Sequence, residues 1–147
     1  MEESVYGQYD RTIDSKNRVA LPAKLRDALG SKFYLTIGMQ NIVELRSEAE
    51  FAKLTADLTS KSAFDKNANL LKRFWLGNTH EIELDSMARF VLPKNVITKA
   101  AIQKDVIFIG VGNSVELWSA ENFEKYNEHM SVEELENAAN ELAKYAR

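Results

Sequence analysis

The feature that most constrains this chain is a phrase that occurs twice. Asp14-Ser15-Lys16-Asn17-Arg18-Val19-Ala20-Leu21-Pro22 returns 71 residues later as Asp85-Ser86-Met87-Ala88-Arg89-Phe90-Val91-Leu92-Pro93, with Asp, Ser, Arg, Leu and Pro identical. A second phrase, Ile37-Gly38-Met39-Gln40-Asn41-Ile42-Val43-Glu44-Leu45, returns as Ile109-Gly110-Val111-Gly112-Asn113-Ser114-Val115-Glu116-Leu117 at an offset of 72. Two matches in the same order, at nearly one offset, mean an internal duplication with a one-residue slip. The 147 residues therefore read as two copies of one unit, 1–76 and 77–147, each ending in helix.

The phrase itself encodes a turn, a strand and a helix start. Asp14, Ser15 and Asn17 are turn residues whose short side chains bond nearby backbone, and Asn17 tolerates a positive φ. Val19 and Leu21 then alternate with Arg18 and Ala20 as in a strand, and Leu21 precedes a proline, which keeps it extended. Pro22 suits a first helical position, and Leu25 and Leu29 share one face of the helix that it starts.

Around this element each unit has a strand entering the turn (8–13 and 81–84) and a later pair of strands (33–37 with 42–45, and 106–109 with 115–118). Ser47 with Glu50 and Ser131 with Glu134 have capping-box spacing, which starts helices. Phe51, Leu54 and Leu58 mark the core face of the first. A helix over 63–75 is expected to carry Leu70, Leu71 and Phe74 inward. After Trp118, Phe123, Tyr126 and Met130 share one side. The last helix has an apolar seam of Val132, Leu135, Ala139, Leu142 and Ala146. Two heptads are too few for a coiled coil, so docking of this helix on its own chain is preferred over a contact with a neighbour.

Charge is unevenly distributed. The net charge is −3, yet Arg11, Lys16, Arg18, Lys24 and Arg26 face Asp14 alone between positions 11 and 26. Positions 116–147 hold eight glutamates against Lys125, Lys144 and Arg147. A chain with one basic and one acidic end can present a positive face while staying soluble. No cysteine is present, which excludes disulfides, thiolate nucleophiles and cysteine-ligated metals. His80 and His129 lack a third ligand at metal spacing, and there is no Gly-rich phosphate loop. Neither catalysis nor a metal, a cofactor or a small-molecule substrate is therefore expected. The opening Met1-Glu2-Glu3-Ser4-Val5 is unlike a signal peptide, and no apolar run approaches the roughly 18 residues of a membrane span, so a cytoplasmic protein without membrane contact is expected.

Asp14-Ser15-Lys16-Asn17-Arg18 followed by Leu21-Pro22-Ala23-Lys24-Leu25-Arg26, duplicated within a chain of this length, resembles the MraZ family, the two-repeat members of the AbrB/SpoVT superfamily. That family's pattern is Asp-x-Lys-Gly-Arg with Leu-Pro a few residues on, and Gly7-Gln8-Tyr9-Asp10 is similar to its opening strand. The resemblance covers essentially the whole chain. It implies a β-rich α+β fold, a swapped-hairpin (double-split) β-barrel built from both repeats with flanking helices, assembled into a homo-oligomeric ring. It further implies a transcriptional regulator on the nucleoid, binding short G-rich direct repeats in double-stranded DNA upstream of the division and cell-wall gene cluster, commonly its own operon.

The chemistry of the residues permits this independently. A β-ribbon fits the major groove, where guanine offers O6 and N7 to a bidentate arginine. Arg18, directly after the turn, suits that role, with Arg11, Lys16, Lys24 and Arg26 as phosphate contacts and Asp14 and Asn17 shaping the turn. Asp14 and Arg18 can also form an ion pair that simply pins the turn, and both roles are compatible. The second copy, Asp85 and Arg89, has lost most accompanying cations: Met87, Ala88, Asn95 and Ile97 replace Lys16, Asn17, Lys24 and Arg26, although Lys94 is gained. A DNA face built from the first repeat is therefore favoured. The alternative is a ring-forming interaction protein without specific DNA readout.

Overall fold

The computed structural model describes residues 4–145. β1 (Val5–Thr12) enters the first turn and β2 (Arg18–Ala20), with Val19 buried between Arg18 and Ala20, leaves it; α1 (Ala23–Leu29) begins directly after Pro22. β3 (Lys32–Ile37) and β4 (Val43–Ser47) follow, then α2 (Glu48–Thr59) and α3 (Lys66–Leu71), the latter running into a single wider turn at Lys72–Leu76. The second unit repeats the order with β5 (Thr79–Glu83), β6 (Arg89–Val91), α4 (Lys94–Lys99), β7 (Asp105–Gly112), β8 (Val115–Ser119), α5 (Ala120–His129) and α6 (Val132–Ala143).

The two units exchange strands. A six-stranded antiparallel sheet has the order β1-β7-β8-β4-β3-β5, while β2 and β6 pair separately as a two-stranded ribbon. β1 of the first unit thus lies on β7 of the second, from Val5 opposite Gly112 to Thr12 opposite Asp105, and β5 of the second lies on β3 of the first. The fold is α+β and β-rich. Its ladder is open, with β1 and β5 as the sheet edges, and the ribbon packs across the open side. Glycine permits the close approach of β1: a Cβ at Gly110 would run into the backbone of Val5 and Tyr6.

Parity sorts the side chains into layers. On the inner face of the sheet, Phe33, Leu35, Val43, Leu45, Val106, Phe108, Val115 and Leu117 join Val19, Leu21, Phe90 and Leu92 from the ribbon in one core. Phe90 meets Phe33 edge-on at 5.4 Å and Phe108 at 6.4 Å, which ties ribbon to sheet. On the outer face Tyr34 stacks on Phe51 of α2 at 4.3 Å, and Trp118 meets Phe123 and Tyr126 of α5. Helices α2 and α5 therefore cover the side of the sheet away from the ribbon.

The helix caps work as their sequences indicate. The Ser47 and Ser131 hydroxyls accept the Glu50 and Glu134 N–H groups at 3.1 and 3.0 Å. The expected helix over 63–75 instead starts at Lys66, because Asp65 accepts the Asn67 and Ala68 N–H groups and sets the N-terminus there. Leu70 is exposed rather than core, since Ala68 is the residue of α3 that turns inward. Phe123 and Met130 are half-buried while Tyr126 is exposed. The preferred docking of the last helix on its own chain is overturned: every residue of α6 is exposed, including Val132, Leu135 and Leu142. Only Glu134 of its first turn borders a hollow with Trp118 and Tyr126, and Ala146 of its seam lies outside the described residues.

Since Phe90 is the ring through which the ribbon grips the sheet, Phe90→Ala should cost about 3–5 kcal/mol, the range for emptying a buried aromatic site. Urea unfolding followed by far-UV circular dichroism measures it, and a loss below about 1 kcal/mol would mean that the ribbon is held elsewhere.

Candidate nucleic-acid interface

Each repeated phrase folds into the same carboxylate-organised turn. In the first, Asp14 donates its N–H to the Arg18 carbonyl at 2.9 Å and accepts the Asn17 N–H on its own carbonyl at 3.0 Å. Its Oδ1 accepts the N–H groups of Lys16 and Arg18, both at 2.9 Å, and its Oδ2 accepts Arg18 Nε at 2.7 Å. In the second turn Asp85 Oδ1 accepts Met87 and Arg89 N–H groups at 2.8 and 2.9 Å, and Oδ2 accepts Arg89 Nε at 3.1 Å. Both turns need one left-handed residue, Asn17 at φ 61° and Ala88 at φ 58°. Asn is at ease there, whereas Ala carries the Cβ clash that makes this region costly.

These bonds set the charge state of the turn. The Arg18 backbone N–H, helped by its side chain and the Lys16 N–H against some desolvation, holds the Asp14 carboxyl below the usual range. The Arg89 backbone N–H, with the Met87 N–H and the Arg89 side chain, does the same for Asp85. Because only Nε of each arginine is engaged, the two Nη groups at the tip carry no hydrogen bond among the described residues. Those are the donors that reach guanine O6 and N7 side by side.

The ribbon brings the two turns together. β2 and β6 pair antiparallel with Arg18 opposite Val91, Val19 opposite Phe90 and Ala20 opposite Arg89. The Leu21 N–H bonds the Ala88 carbonyl at 2.9 Å and the Leu92 N–H bonds the Asn17 carbonyl at 2.8 Å, so each turn adjoins the Leu-Pro of the other unit. With Val19 and Phe90 in the core, Arg18, Ala20, Arg89 and Val91 form the outward face. Arg18 and Arg89 thus share one surface, with a turn at each end of the ribbon.

The remaining basic residues are distributed differently from their sequence positions. Lys16 is exposed in the first turn. Lys24 lines a hollow with Ser4, Tyr6 and Tyr9. Arg26 is tied by Nε to the Leu21 carbonyl at 3.1 Å, and half-buried Arg11 donates to the Asp10 carbonyl at 2.7 Å. Two segments of the second unit meet the first turn through their backbone. Lys94 lies two residues beyond Leu92, and the Lys104 carbonyl accepts the Ile13 N–H at 2.9 Å. Lys104 also lines a hollow with Ser119, Glu121 and Glu124 beside α5, so its link to the first turn is a backbone one. That Arg18 and Arg89 each point away from the core was readable, since each directly precedes a core residue in its strand, but that they share one face follows only from the pairing of β2 with β6. Among the described residues no cluster of three or more His, Cys, Asp or Glu is placed to hold a metal ion, and no helix is long and apolar enough to cross a membrane.

A family model described as "MraZ protein, putative antitoxin-like" matches the chain twice, over residues 5–74 and 75–145. Proteins named "Transcriptional regulator MraZ" are similar over nearly the full length. That of Mycoplasmopsis pulmonis is 40% identical over 95% of both chains. That of Thermoanaerobacter sp. is 42% identical over 92% of this chain and 96% of its own. That of Mesoplasma florum is 34% identical over 82% of this chain and 84% of its own.

The turn geometry has two measurable consequences. Ala88→Gly removes the Cβ at a positive φ and should raise stability by up to about 1 kcal/mol, part of the relief being offset by glycine's greater freedom when unfolded. Equilibrium urea unfolding reads it, and a clear loss would refute strain at Ala88. Asp14→Asn tests the carboxylate. A carboxyl whose folded pKa is lowered stabilises above its unfolded value of about 3.9 and loses that contribution as pH falls through the folded pKa. The variant should be less stable than wild type at pH 7, and thermal melts should converge as the pH is taken towards about 2, below the unfolded value. A gap that persists unchanged in acid would assign the effect to something other than the charge.

Proposed function

Since the chain belongs to the MraZ family, we propose that it is a transcriptional regulator that reads double-stranded DNA with the outward face of the β2–β6 ribbon, acting by binding rather than catalysis. The single observation that carries this is the pair of carboxylate-held arginines, Arg18 and Arg89, on one face of a two-stranded ribbon. A ribbon of this kind suits the major groove. Arg18 is the principal reader of guanine. Asp14 holds its Nε and so aims its tip, Asn17 supplies the turn, and Asp85 and Arg89 form the second, less cationic end. Lys16 meets phosphates beside Arg18, with Lys24, Arg26 and Arg11 flanking.

The target proposed is a set of short G-rich direct repeats upstream of the division and cell-wall gene cluster, including the regulator's own operon, bound on the nucleoid by a homo-oligomeric ring of two-repeat protomers (1–76 and 77–147). One protomer of net charge −3 has few phosphate contacts; copies on adjacent repeats gain effective concentration without new contacts. The competing reading, an interaction protein without DNA readout, is favoured by the exposed α6 alone, and self-assembly accounts for that exposure.

Arg18→Ala should remove roughly 1–3 kcal/mol of preference for a G-rich repeat duplex over a scrambled one, the worth of one bidentate contact, with an unchanged circular dichroism spectrum. Fluorescence anisotropy at fixed salt measures it, and undiminished discrimination would sink the assignment. Phosphate contacts are counted by salt: Lys16→Ala should flatten the plot of log K against log salt by about one, for specific and random duplex alike. Lys99→Ala should not, because Lys99 lines a hollow with Gln40 and Trp118 beside α5.

A further inference from the structure

Of the residue types identical in the two copies of the repeated phrase, all but one have a visible task in the fold. The aspartate organises each turn, the arginine pairs with it, the leucine is buried in the core and the proline stands directly before a helix. The remaining identity is serine. Ser15 and Ser86 are exposed, and neither hydroxyl makes a hydrogen bond among the described residues.

The backbone of each turn leaves the same residue over. In the first turn the Asp14 N–H goes to the Arg18 carbonyl, the Asn17 N–H to the Asp14 carbonyl, and those of Lys16 and Arg18 to Asp14 Oδ1. The second turn uses the N–H groups of Asp85, Met87, Ala88 and Arg89 in the same way. From Asp14 to Arg18 and from Asp85 to Arg89, only the serine N–H groups have no partner among the described residues. Each serine therefore offers two neighbouring donors, O–H and N–H, three residues before an arginine whose tip is also unbonded. Serine hydroxyls and backbone N–H groups are donors that take phosphate oxygens. The adjacent carboxylate does not oppose an anion there, because the arginine guanidinium that it holds balances its charge.

We infer that Ser15 and Ser86 each bind one DNA phosphate through Oγ and the backbone N–H, one at each end of the ribbon, and so set the register in which Arg18 and Arg89 enter the groove. This rests on the DNA-binding reading of the ribbon and assigns its uncharged phosphate contacts. The consequence is largest in the second repeat. There Met87 stands where the first repeat has Lys16, so that end holds its phosphate with donors that carry no charge. The dependence of affinity on salt counts phosphates neutralised by lysine and arginine, because those are the contacts that release condensed counterions. A serine contact therefore adds to affinity without adding to the slope.

Fluorescence anisotropy of the full-length protein tests this, on a G-rich repeat duplex and on a scrambled one, over a range of salt, with Ser15→Ala, Ser86→Ala and the double variant. Each single variant should bind about three- to tenfold more weakly than wild type, the range for one hydrogen bond. The factor should be the same on both duplexes, and the slope of log K against log salt should not change. The double variant should lose the product of the two factors, since the serines lie at opposite ends of the ribbon. Urea unfolding should give wild-type midpoints, because no bond inside the protein is removed. Wild-type affinity in either single variant overturns the inference. So does a loss confined to the G-rich duplex, which makes the serine a base contact, a flattened slope, or a lowered midpoint, which gives the hydroxyl a task inside the fold. A wild type that binds neither duplex overturns the inference together with the DNA-binding reading, whereas the other failures leave that reading standing.

Discussion

The structure depends on the antiparallel pairing of two three-residue strands, β2 and β6, that come from different repeats. Strands this short have little stability of their own, so the ribbon exists because Val19 and Phe90 are buried beneath it and because the Leu21 and Leu92 N–H groups find the Ala88 and Asn17 carbonyls. Those two carbonyls are available only where the backbone has turned left-handed, at φ 58° and 61°. The turn conformation, the strand exchange and the core are therefore one cooperative arrangement. A repeat on its own would leave β1 without β7 and β5 without β3, exposing ladder donors and acceptors that must be paired when buried.

The same arrangement explains how an acidic protein offers a cationic face. Helices α2 and α5 lie on the side of the sheet away from the ribbon, so the glutamates of α5 are separated from Arg18 and Arg89 by the sheet and its core. Strand exchange then sets Arg18 of the first repeat and Arg89 of the second on one face of the ribbon. A duplex meeting the ribbon encounters this local field rather than the net charge, since distant charges are screened beyond about 10 Å at ordinary salt. The Asp carboxylates within the turns do not cancel the arginines. Each occupies the Nε side and leaves the tip projecting, which orients a long side chain that would otherwise lose entropy on binding.

Much of this was legible in the sequence, and the reason is range. The Asp14 turn, the parity of Val19 and Leu21, and the Ser47 and Ser131 caps are set by bonds and alternations between near neighbours in the chain, so the residue types suffice. Asn17 announced a positive φ; Ala88, which adopts the same conformation, did not, because Ala prefers other regions and is held there by the Asp85 bonds and the ribbon. The helix boundary at Lys66 was equally local, in the Asp65 cap, and was missed by weighting the apolar residues above it.

What the sequence determined by itself was the duplication, the local turn and strand of each copy and the α+β class. What only the tertiary structure decided was partnership: that β1 lies on β7, that Lys104 adjoins Ile13, that Leu70 faces out and that α6 leaves the body. Partnership depends on which apolar faces can be buried together, a property of the whole chain. No window of residues contains it, because the groups that satisfy one another are about 70 to 110 positions apart and are joined only when the common core closes.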